Sequence, residues 1–164
     1  VPSGEDASSA LDLTLVVPCY REASHIERSF AALFAVMRRA WCSYEVVFYD
    51  DRSPDDTVAR LQRLVAGEAR ARLVLNERNL GRGATVTRGI RDSRARAVGF
   101  IDIDLSTPPL YVPFLAALIL DDVVDVATCH RSYKIEPRVF HRVALRYVLS
   151  YGYRHLSRWV LGHS

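Results

Sequence analysis

Apolar residues in this chain fall into short runs separated by segments of helical spacing. Leu13 to Cys19 is an apolar run stopped by Pro18, the pattern of a strand buried on both faces. Between 24 and 40, Ile26, Phe30, Leu33, Phe34 and Met37 line one face of a helix, with Ser24 as its N-cap. Glu45 to Tyr49 reads as a second strand, closed by Asp50, Asp51, Arg52, Ser53 and Pro54. A helix over about Asp55 to Ala66 stops at Gly67, and Arg72 to Leu75 forms a short third strand. The turn Asn79-Leu80-Gly81-Arg82-Gly83 leads into a third helix, roughly Ala84 to Ser93. Val98 to Ile101 is a fourth strand, followed by a helix over 109–120, a strand over Asp125 to Thr128 and a long amphipathic stretch from 138 to 161.

Strands alternating with helices predict βαβ units on a parallel sheet. Ligands of such sheets bind beyond the carboxyl ends of the strands, and that is where the polar residues gather. Tyr20 and Glu22 follow strand one, Asp50 and Asp51 strand two, Asn76 to Arg82 strand three, and Asp102 and Asp104 strand four. Asp102 and Asp104 are one residue apart, so on a strand both carboxylates would face one site. Carboxylate oxygens suit hard cations such as Mg²⁺ or Mn²⁺, usually shared with substrate phosphates. The competing reading is a solvated acidic turn, with Ser106 or Thr107 capping a helix whose first turn holds Pro108 and Pro109. Asp51 has two roles open to it, accepting a base N–H or capping the Ser-Pro turn, while Tyr20 could stack on a base or cover a sugar. Gly81 and Gly83 permit left-handed turns and close approach to a phosphate.

Composition narrows the class. The chain has 164 residues, one domain's length, and 49% hydrophobic and 25% charged residues are ordinary for a soluble protein. The net charge of +3 is small but uneven: Arg131, Lys134, Arg138, Arg142, Arg146, Arg154 and Arg158 share their segment with one acid, Glu136. That stretch suits an anionic partner, or is a solvated basic face. Cys19, Cys42 and Cys129 form no Cys-x-x-Cys pair and support neither a disulfide framework nor a zinc site, so a reducing compartment is expected. The five histidines show no metal-ligand spacing and read as surface or core residues. The first ten residues are read as a disordered leader; they are small, polar and acidic and do not resemble a secretory signal. No Walker A loop and no Gly-x-Ser-x-Gly elbow is present.

Four segments together resemble a known family. Val17-Pro18-Cys19-Tyr20-Arg21-Glu22, Asp50-Asp51-Arg52-Ser53-Pro54-Asp55, Asn79-Leu80-Gly81-Arg82-Gly83 and Asp102-Ile103-Asp104-Leu105-Ser106-Thr107-Pro108-Pro109 look like the family-2 glycosyltransferases of GT-A fold. The resemblance is to the polyprenyl-phosphate branch, typified by dolichyl-phosphate mannose synthase, and covers about residues 13–161. His130-Arg131-Ser132-Tyr133 resembles that branch's Ser-Arg-Tyr, and Arg146 lies where a second phosphate-binding arginine is expected.

The resemblance implies a Rossmann-like, three-layer α/β/α fold with a mainly parallel sheet, incomplete at the C-terminus. Together with the leader read over 1–10, this gives a nucleotide-sugar-binding core over 11–131 and a basic, amphipathic helical acceptor-side segment over 132–164. Pro18, Tyr20, Glu22, Asp51 and Arg82 would hold the nucleotide of a GDP- or UDP-hexose. Asp102 would sit at the ribose and metal edge, and Asp104 would ligate Mg²⁺ or Mn²⁺, so these two carry the catalysis. Ser106 is counted with them at the metal, but it stands where some relatives have a metal-binding Gln, which leaves fewer protein ligands. Arg131 and Arg146 would grip a polyprenyl phosphate at the cytoplasmic face of a membrane, with peripheral membrane contact and no role for nucleic acid. The implied reaction is inverting transfer of a hexose to that phosphate. Transfer to a saccharide hydroxyl, and a non-catalytic nucleotide-sugar-binding fragment, are the alternatives. Arg21 and Arg52 depart from the pattern, standing where asparagine and glycine are usual.

Overall fold

The computed structural model describes residues 11–129. The leader expected over 1–10 lies outside the described residues, as do the segment 132–164, Arg131 and Arg146.

Four strands and four helices alternate: β1 (Leu13–Cys19), α1 (Ile26–Met37), β2 (Tyr44–Asp50), α2 (Thr57–Ala66), β3 (Ala71–Leu75), α3 (Arg82–Asp92), β4 (Ala97–Phe100) and α4 (Tyr111–Leu120). All strand pairs are parallel, in the order β3-β2-β1-β4. Chain progress from β1 to β3 runs one way across the sheet, and the step to β4 reverses it. Crossovers of one hand then put α3 on the opposite face from α1 and α2. The packing agrees. Leu15, Val17, Phe30, Leu33, Phe34, Phe48, Leu61, Ile103 and Ala116 form the main core on the face of α1, α2 and α4. On the other face, Val16, Val47 and Tyr49 form a smaller one. Gly89 of α3 lies directly over that second cluster. A Cβ there would come within 2.5 Å of Val16 Cγ1 and 3.0 Å of Tyr49 Cε2, so the helix seats closely only because the side chain is absent.

The expected α/β/α layering and parallel sheet are present. Several local expectations are corrected. Pro18 does not stop β1, which runs on to Cys19. In a parallel ladder alternate residues bond to opposite neighbours. Cys19 O accepts from Asp51 N, so odd positions face β2, while Val16 O accepts from Ile101 N. Pro18 thus faces β4, whose pairing has ended at Phe100 opposite Val16, and its missing N–H costs no ladder bond. Ser24 does not cap α1. His25 holds that position without a side-chain cap bond, and Glu22 O accepts from the N–H groups of His25 and Ile26. Neither Ser106 nor Thr107 caps α4, which begins at Tyr111 after Leu110, with Pro108 and Pro109 in the turn before it. Residues 125–128 are not a strand. Asp122 takes φ 55°, and Val123 and Val124 donate back to Leu118 O, winding the chain onto the end of α4.

Candidate functional site at the carboxyl edge of the sheet

Reversal of the strand order puts the crevice between β1 and β4, where such sheets take their ligands. The carboxyl ends of all four strands carry the expected polar groups, and each is held by identifiable bonds.

Asp51, beyond the end of β2, is 3% exposed and almost fully engaged. Its Oδ1 accepts from Asn76 Nδ2 at 2.8 Å and from the Leu80 N–H at 2.8 Å. Its Oδ2 accepts from the Gly81 N–H at 2.8 Å. Burial works to raise this carboxyl, but the bonds from Leu80, Asn76, Gly81 and Thr85 outweigh it and hold the pKa below the ordinary aspartate value. Asp51 therefore clamps the loop after β3 to the end of β2. Turn capping belongs to its neighbour: Asp50 Oδ1 accepts from the Ser53 N–H at 2.9 Å. Two residues support this clamp: Asn76, one of the polar residues expected at the end of strand three, and Arg88, which sequence analysis did not single out. Asn76, 2% exposed, also donates to Thr85 Oγ1 at 3.0 Å, and Arg88 donates to Asn76 Oδ1 at 2.7 Å. No motif marks Arg88, and the bonds of Asn76 are found only once the loop is folded.

The clamped loop presents Gly81 at φ 81°, which a side chain would disfavour. Gly83 lies inside the first turn of α3 and takes no left-handed conformation, contrary to the expectation for it. A Cβ at either glycine would meet no atom of the described residues within 4 Å.

Asp102 and Asp104 lie past the end of β4, in a tight turn rather than on the strand. Leu105, at φ 52°, donates to Asp102 O at 3.0 Å, and the Ser106 N–H donates to Asp104 Oδ1 at 2.9 Å. Alternation nevertheless persists in burial: Ile101 and Ile103 are in the core, while Asp102 is half-buried and Asp104 exposed. Arg82 Nη2 meets Asp102 Oδ2 at 2.7 Å, bridging the start of α3 to this turn. Glu22, half-buried after β1, has its carboxyl raised by burial; His25 opposes this, and Asp104 and Asp55 add to it. Tyr20 is 40% exposed beside it. Among the described residues no group of three or more His, Cys, Asp or Glu is gathered into a metal cage. The donor chemistry still fits a hard divalent ion: two carboxylates stand on one turn, and the charge of one of them, Asp104, reaches Glu22, while ligand oxygens usually supply the rest of such a shell.

The sequence profile of Glycosyl transferase family 2 matches residues 14–162. The chain belongs to that family. Dodecaprenyl-phosphate galacturonate synthase of Rhizobium johnstonii is 32% identical over 117 residues, covering 68% of this chain and 33% of that protein. Dolichol-phosphate mannosyltransferase of Saccharomyces cerevisiae is 26% identical over 120 residues, covering 73% and 45%. Among solved structures, glucosyl-3-phosphoglycerate synthase from Mycobacterium tuberculosis, in complex with Mn²⁺, UDP and glucosyl-3-phosphoglycerate, superposes with a TM-score of 0.53 at 26% identity. That match covers 70% of this chain and 41% of the synthase. The fold is the GT-A fold expected from the motifs. The chain spans about a third of the length of the first curated relatives it matches.

Proposed function

We propose that the protein to which this chain belongs transfers a hexose from a nucleotide sugar to a polyprenyl phosphate. The observation that carries this reading is the meeting of the Asp51-clamped glycine loop and the Asp102–Asp104 turn beside one crevice. Two relatives named for transfer to dodecaprenyl or dolichol phosphate support the acceptor class.

In this reading Pro18, Tyr20, Glu22 and Asp51 border the nucleotide. Asp51 acts mainly by shaping the Leu80–Gly81 loop, and its Oδ2 keeps capacity for a further donor such as a base N–H. Asp102 and Asp104, with Ser106 beside them, would hold Mg²⁺ or Mn²⁺. The ion would offset negative charge on the departing nucleoside diphosphate. Arg82 turns from Asp102 toward the diphosphate when the donor arrives. An acceptor phosphate oxygen forms a bond to the anomeric carbon while the bond from that carbon to the diphosphate oxygen breaks. The electron pair leaves with the nucleoside diphosphate. Because the attacking oxygen is already ionised, no general base is required, and in-line attack inverts the centre.

Arg131 and Arg146 are assigned to the acceptor phosphate from sequence resemblance alone. The 138–161 stretch would touch the cytoplasmic face of a membrane peripherally. No helix among the described residues is long and apolar enough to cross one. The test is a transfer assay on the whole protein with UDP- or GDP-hexose, Mn²⁺ and polyprenyl phosphate. Appearance of lipid-linked sugar supports the reading; transfer only to saccharide hydroxyls overturns its acceptor half.

A further inference from the structure

Two arginines stand where the backbone least favours them. Arg21 has φ 61° and Arg52 has φ 63°, both in the left-handed region that glycine or asparagine accepts and long side chains avoid. Each lies two residues beyond the last register pair of adjacent strands, Cys19 opposite Asp50. The loops that carry them are tied together, the Arg21 N–H donating to Ser53 Oγ at 3.0 Å and the Glu22 N–H to Thr57 Oγ1 at 2.8 Å. The strain is therefore fixed by the surrounding bonds, as at ligand-binding sites.

Charge is distributed unevenly along this edge. The acids there have partners: Asp102 pairs with Arg82, Asp55 accepts from Thr57 and Ala23, and Glu22 lies 2.9 Å from His25 Nε2. Arg21 and Arg52 are exposed, and among the described residues neither enters an ion pair. Arg21 lies over the ring of Tyr20, 5.2 Å from its centroid, which leaves its fork of donors available. Two like charges at the ends of neighbouring strands repel each other until an anion joins them.

We infer that Arg21 and Arg52 form a cationic pair that binds a phosphate group of the ligand at the carboxyl edge of the sheet. The inference rests on reading that edge as the nucleotide-sugar site. Guanidinium suits the task, being permanently charged and able to make paired bonds to phosphate oxygens. The pair adds cations beside the carboxylates Glu22, Asp102 and Asp104, and its two unusual backbone positions lie in loops tied together beyond neighbouring strands.

The test is calorimetry on the 164-residue chain at low ionic strength, comparing the parent with R21N/R52G and R21K/R52K. Asparagine and glycine accept the two φ values, so R21N/R52G should melt no lower than the parent. Inorganic pyrophosphate probes the pair itself. Its affinity should fall about tenfold or more in R21N/R52G and be largely kept in R21K/R52K. Pyrophosphate affinity within about twofold of the parent overturns the inference. Nucleoside diphosphate and vesicles of phosphatidylcholine with phosphatidic acid identify the source of the phosphate. Loss of nucleoside diphosphate binding assigns the pair to the donor, and loss of vesicle binding assigns it to a lipid acceptor. If the parent binds nucleoside diphosphate no better than pyrophosphate, the nucleotide reading fails while the pair stands.

Discussion

Arg82 Nη2 lies 2.7 Å from Asp102 Oδ2, so a cation from the start of α3 sits on a carboxylate assigned to a metal. Arg82 is 62% exposed and Asp102 19%, so the pair itself contributes at most about 1 kcal/mol to stability. Its consequence is competition. In R82A, Mn²⁺ alone should bind more tightly because its competitor for Asp102 is gone. Nucleoside diphosphate with Mn²⁺ should bind about tenfold more weakly, for want of a phosphate contact. Calorimetry of both titrations checks this, and a change of the same sign in both would contradict it.

The Asp51 clamp predicts a specific pH dependence. Asp51 has a folded pKa below its ordinary value of 3.8. Its stabilisation is therefore full above that value and is lost as pH falls through the folded pKa. D51N keeps the shape but cannot accept with both oxygens, leaving the Leu80 or Gly81 N–H short of a partner at a cost of about 1–3 kcal/mol near neutral pH. Denaturant melts of parent and D51N should differ most near neutral pH and converge as the pH drops below 3.8. A constant gap would show that the carboxylate charge is not what holds the loop.

Gly89 tests the packing that places α3, and with it Arg82. A methyl group there meets both Cγ atoms of Val16, a stiff β-branched residue of a central strand that cannot swing aside. G89A should lose about 1–3 kcal/mol in thermal or chemical unfolding. Unchanged stability would mean that the helix slides freely over the sheet.

Much of this arrangement is legible in the sequence, because apolar runs and helical spacing are local signals. All eight elements up to Leu120 follow from them, with ends shifted by a few residues. The errors come from signals that outlast their cause. Alternation of Ile101, Asp102, Ile103 and Asp104 continues in burial after the β4 ladder has ended, so a turn reads as a strand. Residues 125–128 hold the apolar pair Val126 and Ala127, yet form no strand among the described residues, since strand formation needs a neighbour and not only apolar positions. At the site, the acids were visible, but their bonds were not. Asp51 meets Asn76, Leu80 and Gly81 only because β2 and β3 are adjacent and the loop folds back. Arg52 and Arg21 did carry a sequence signal, standing where glycine and asparagine are usual, and the positive φ at both gives that departure its physical meaning.

The most direct test of the central claim is the metal dependence of nucleotide binding. Calorimetry should show nucleoside diphosphate binding the chain more tightly with Mn²⁺ or Mg²⁺ than with chelator, and D104N should remove most of that gain while its circular dichroism stays that of the parent. Equal affinity with metal and with chelator in the parent chain would contradict the account.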